Sequence, residues 1–108
     1  MHAITRSEAK KLMDQRDDLT VVEVLQKDQF DEFHLPGAKN VPLDEQFAEN
    51  IQRTAPDKRK PVLVYCHDIN CNASPKAAQK MEQLGYQDVY DYEAGKLDWK
   101  QAGLPVES

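Results

Sequence analysis

Two cysteines carry the covalent chemistry open to this chain. Cys66 ends the apolar run Pro61-Val62-Leu63-Val64-Tyr65, and Cys71 follows five residues later within His67-Asp68-Ile69-Asn70-Cys71-Asn72-Ala73. A thiol acts as a nucleophile in its thiolate form, which is favoured where a helix begins, because unpaired N–H groups and the positive end of the helix dipole face it. Ser74-Pro75 reads as such a beginning, with serine as the cap and proline at the first helical position. The dipole contributes about 0.3–1 kcal/mol at an exposed site and up to about 2 kcal/mol when partly buried. That lowers a thiol pKa by roughly one unit at most, and amides of the 67–72 loop add to it. Cys71 has two readings: a resolving thiol, and a small hydrophobe lining the loop. A bond to Cys66 requires Cα atoms within about 7 Å, and the spacing alone leaves that open. A zinc site from Cys66, His67 and Cys71 lacks paired ligand spacing and a fourth ligand, so no metal is expected.

A cysteine at a strand end is useful in a parallel α/β sheet, where ligands gather outside the carboxyl ends of the strands. The rest of the chain fits that frame, because helical patterns alternate with short apolar runs. Thr5-Arg6-Ser7-Glu8 has capping-box spacing and predicts a helix through Ala9 and Leu12. Leu19 to Val24 is β-branched and nearly continuously apolar, a strand covered on both faces. A short helix is expected over Asp28 to Phe33, a turn at Leu35-Pro36-Gly37-Ala38, and a brief strand at Lys39 to Val41. Leu43 to Ile51 reads as a helix and Gln52 to Lys60 as an exposed connector. After the strand at 61–65, Ala77, Ala78, Met81 and Leu84 fall at helical spacing, and Gly85 stops that helix. A strand at Val89 to Tyr92 and a short helix at Leu97 to Ala102 follow.

Composition narrows the function classes. The 108 residues suit one domain with one core and one cleft. A formal net charge of -5 gives no basic footprint for nucleic acid or anionic lipid. Mean hydropathy is -0.76, and no apolar stretch approaches membrane-spanning length. With no signal-peptide pattern at Met1 to Arg6 and two cysteines rather than a disulfide framework, a cytoplasmic location is expected.

Several motifs, in order, resemble the rhodanese family of sulfurtransferases in its small single-domain form. Val21-Val22-Glu23-Val24-Leu25 occupies the place of the family's apolar-apolar-Asp-Val-Arg strand end, and Glu32-Phe33-His34-Leu35-Pro36-Gly37-Ala38 is similar to its His-Ile-Pro-Gly-Ala turn. Asn40-Val41-Pro42, Val62 to Cys66, Ala77-Ala78 and Leu84-Gly85-Tyr86 continue the match. Gly95, Trp99 and Ala102-Gly103-Leu104-Pro105-Val106 resemble the family's closing pattern. The resemblance implies a doubly wound parallel sheet of about five strands flanked by helices, forming one domain over residues 1–108. It also implies a persulfide on Cys66, taken from thiosulfate or another persulfide and passed to a thiol or cyanide without a cofactor. His67, Asp68, Ile69, Asn70, Cys71 and Asn72 would then surround the substrate, a small sulfur-containing anion or a protein persulfide or thiol.

The loop departs from the family's pattern in its charge. It has no arginine, lysine or glycine and includes Asp68, which opposes a dianionic donor if it turns inward, whereas Lys76 and a protonated His67 would offset it. Related phosphatases of this fold place an arginine six residues after the cysteine, where this chain has Asn72, so phosphate chemistry is set aside. Two alternatives to sulfur transfer stand: a thiol redox protein using Cys66 and Cys71, and a binding module that keeps the fold without turnover. His34 reads as a turn residue bonding local backbone, Trp99 as a core anchor, and His67 as either tuning the thiol or facing solvent.

Overall fold

Val62, Leu63, Val64 and Tyr65 are all buried, as a strand covered on both faces must be. They form β4 (Val62–Tyr65) at the middle of a five-stranded parallel sheet in the computed structural model, which describes residues 1–108. β4 lies between β2 (Thr20–Glu23) and β5 (Val89–Tyr92), with Glu23 and Tyr92 both in register with Tyr65. The margins are β1 (His2–Ile4), paired with β5, and β3 (Lys39–Asn40), paired with β2. The strand order β1-β5-β4-β2-β3 places the crossovers on both faces, which is the doubly wound arrangement.

Alternation along the strands divides the core in two. On one face Val22, Val62, Val64, Cys66 and Val89 pack against Phe47 and Ile51 of α3 (Phe47–Thr54) and Ala77, Ala78 and Met81 of α4 (Ala73–Gln83). On the other, Val21, Leu63, Tyr65 and Tyr92 pack against Ala9 of α1 (Arg6–Gln15) and Trp99 of α5 (Gly95–Gln101). Half-buried Phe30 of α2 (Lys27–Glu32) joins that second core. Trp99 is the anchor its type suggests: it is 2% exposed, and its Nε1 donates to the Pro105 carbonyl at 2.8 Å. α1 opens with both halves of the capping box formed between Thr5 and Glu8.

Four local readings of the sequence are corrected. β1 was not expected, because three residues with one buried member carry no periodicity. α3 begins at Phe47 rather than Leu43, since Asp44 Oδ1 accepts the Gln46 amide at 2.9 Å and holds the preceding residues in a turn. It then continues to Thr54, and Ala55 is 5% exposed, so the start of the 52–60 connector is helix and core. Ser74 does not cap α4: Asn72 holds that position without a side-chain bond, and Ser74 is buried one residue inside the helix.

Candidate active site

Cys66 follows β4 directly, so the strand's burial carries it to the carboxyl edge of the sheet, where it presents no surface to solvent. The backbone on either side of its peptide is held from α5. Lys96 N donates to the Cys66 carbonyl at 3.0 Å, and Leu97 N donates to the His67 carbonyl at 2.9 Å. Gly95 allows this approach: its φ is +77°, and a Cβ there would lie 2.6 Å from the His67 carbonyl carbon and 2.7 Å from the Cys66 carbonyl oxygen.

Beyond Cys66 the loop curls back on itself. Asp68 organises the curl: its backbone oxygen accepts the Cys71 amide at 3.1 Å and its Oδ1 accepts the Asn70 amide at 3.0 Å. Its Oδ2 lies 3.1 Å from His67 Nδ1, and this bond, foremost, holds the Asp68 carboxyl below its usual range. His67 therefore partners the neighbouring carboxylate, at a side chain that is 42% exposed. Two of the loop amides are thus engaged, whereas those of His67, Asp68, Ile69 and Asn72 find no acceptor within the chain. Ile69 is 64% exposed and places an apolar tip on the loop's outer surface.

The curl brings the two cysteines together. Cys66 and Cys71 form a disulfide with Cα atoms 6.4 Å apart, within the usual range for such a bond. Cys71 is half-buried, and packs against the core that holds Cys66. Lys76, the cation the loop was expected to draw on, opens instead onto a surface hollow with Leu43, Asp44, Glu45 and Gln79.

Two buried polar groups under this site have no local signature in the sequence. Lys96 is 1% exposed and its Nζ donates to Glu23 Oε2 at 3.0 Å, to the Gln29 carbonyl at 2.7 Å and to the Phe33 carbonyl at 2.8 Å. Tyr65 OH completes the set by donating to Glu23 Oε1 at 2.9 Å and accepting the Leu35 amide at 3.1 Å. Burial pushes the Glu23 carboxyl up, against the pull of Lys96 and Tyr65. The second group is Asp91 of β5, fully buried with neither carboxylate oxygen bonded. Burial raises its pKa, and the neighbouring Ser74 hydroxyl draws it back without reaching hydrogen-bond geometry. His34 is structural: its Nδ1 lies 2.9 Å from the Phe30 carbonyl and its ring stacks on Phe30.

The rhodanese-like domain family model matches residues 5–102. The chain is 32% identical over 100 residues to a thiosulfate sulfurtransferase, GlpE of Coxiella burnetii, spanning 90% of this chain and 85% of that one. It is also 32% identical over 107 residues to an HTH-type transcriptional regulator of Mycobacterium tuberculosis, covering 97% of this chain but 44% of the regulator. This chain therefore spans less than half of that relative's length. Among solved structures, a Bacillus halodurans protein superposes with a TM-score of 0.88 at 25% identity, over 99% of this chain and 77% of the other.

Proposed function

The chain belongs to the rhodanese-like family, and from that premise we propose that it is a sulfurtransferase or persulfide carrier working through Cys66. The observation that carries this reading is the position of Cys66, at the carboxyl end of the central strand β4 and followed by a tight loop with four unpaired amides. Main-chain donors with no partner favour negative charge beside them, first on the thiolate and then on the group that departs. The reaction starts from the dithiol form, in which Cys66 is released from Cys71. Its thiolate attacks the outer sulfur of thiosulfate, the bond to the sulfonyl sulfur breaks with its electron pair, and sulfite leaves. Cys66 then holds a persulfide, which a thiol or cyanide takes by attacking the outer sulfur and returning the thiolate.

Asp68 sets the preference among donors. Its carboxylate, 36% exposed, is the loop's one fixed charge, and it disfavours a free dianion relative to a persulfide borne on a protein or small thiol.

Intact-mass measurement tests the reading. After reduction, removal of the reductant and treatment with thiosulfate or polysulfide, Cys71→Ser protein should gain one sulfur, and Cys66→Ser should gain none. A Cys71→Ser protein that gains no sulfur overturns the assignment.

A further inference from the structure

The disulfide between Cys66 and Cys71 gives the persulfide a second exit. We infer that Cys71 discharges the Cys66 persulfide inside the protein, releasing hydrosulfide and leaving the Cys66–Cys71 disulfide, so that the chain reduces sulfane sulfur as well as passing it on. The inference rests on the Cys66 persulfide proposed above.

The step balances within the site. The thiol sulfur of Cys71 attacks the inner sulfur of the persulfide, the one bonded to Cys66 Cβ. A Cys71–Cys66 sulfur–sulfur bond forms, the bond to the outer sulfur breaks with its electron pair, and the Cys71 proton leaves on hydrosulfide. The outer sulfur is reduced by two electrons and the two cysteine sulfurs are oxidised to a disulfide. The structure holds the product of this step: the 66–71 loop closes, through the two Asp68 bonds, so that the sulfurs are joined with their Cα atoms 6.4 Å apart.

The two sulfurs differ in a way that makes the cycle directional. Cys66 is fully covered, whereas Cys71 is half-buried, so an external dithiol reductant meets the Cys71 sulfur first. Attack there expels Cys66 as the leaving thiolate, on the residue from which the loop with four unpaired amides departs, and a thiolate stabilised by such donors leaves faster. One reduction by a dithiol thus restores the nucleophile for the next sulfur. The same covering keeps a bulky acceptor away from Cys66 while the disulfide persists.

A single-turnover experiment without any external thiol tests this. Reduced wild-type protein and Cys71→Ser are desalted, loaded with thiosulfate labelled in its outer sulfur, freed of sulfite, and followed by intact mass and by bimane trapping of hydrosulfide. Wild type should release one equivalent of labelled hydrosulfide and end lighter than its reduced form by two hydrogens, while Cys71→Ser keeps the label and releases none. Cys71→Ala should match Cys71→Ser, which guards against a fault of the serine hydroxyl. Label retained equally by wild type and variant, or label found on Cys71 itself, would overturn the inference and leave sulfur transfer at Cys66 standing. No label on either cysteine variant overturns both.

Discussion

The main-chain amide of Lys96 donates to the carbonyl oxygen of Cys66 at 3.0 Å, while the same residue's ammonium is buried against Glu23 on β2 at 3.0 Å. One side chain therefore clamps α5 to the sheet while its backbone fixes the peptide of the nucleophile. Removing either partner strands the other charge in the core. Lys96→Met should cost about 3–5 kcal/mol of unfolding free energy, read by urea denaturation, and Glu23→Gln combined with Lys96→Met should recover much of it. A single variant with unchanged stability would contradict this account.

Gly95 is the second half of that clamp. Gly95→Ala forces a side chain into a left-handed backbone at about 1–2 kcal/mol and onto the Cys66 and His67 carbonyls. Since misplacing a reacting group by about 1 Å can reduce rate about 100-fold, sulfur uptake by Cys66 should fall by that order in stopped-flow loading. The loss should exceed any change in thiosulfate KM.

Asp68→Asn removes the loop's carboxylate while keeping a side-chain acceptor for the Asn70 amide. The KM for thiosulfate should drop about two- to fivefold at low ionic strength, and the difference should shrink as salt screens the site. An unchanged KM at low salt would show that the carboxylate does not face the donor.

The buried, unbonded Asp91 predicts a pH dependence. Its folded pKa is raised above the ordinary 3.8 by burial, so the folded protein binds the proton more tightly than the unfolded chain. Stability from this group is full below 3.8 and declines as pH rises from there through the raised folded value. Asp91→Asn lacks the effect, so wild type should lose stability relative to it with rising pH across that window. Thermal midpoints of the two proteins from acid to neutral pH check the sign.

Reducing the disulfide opens a short loop. On chain entropy alone the bond is worth about 2 kcal/mol, so oxidised wild type should unfold at higher urea than Cys71→Ser by about that free energy. Equal midpoints would contradict this entropic contribution of the bond.

The central part of this architecture was legible because its signals are local and strong. β4 is continuously apolar, α4 repeats at helical spacing to Gly85, and Thr5 to Glu8 carry a complete cap, so Cys66 could be placed at a strand end before a helix. What escaped depends on contacts made across the fold. Ser74 looks like a cap in isolation, yet the packing of α4 over β5 turns it towards Asp91. Lys96 reads as a surface cation until Glu23, Gln29 and Phe33 surround it, three partners more than 60 residues away in sequence. The five-residue interval between the cysteines permits a bond without requiring one, and the Asp68 curl decides it.

The outermost strands carry a consequence for colony with other chains. β1 has three residues and β3 has two, so neither flank of the sheet offers enough free backbone donors and acceptors for a stranger's strand to zip along. A protein whose central strands are this apolar is thereby shielded from edgewise polymerisation by the brevity of its borders.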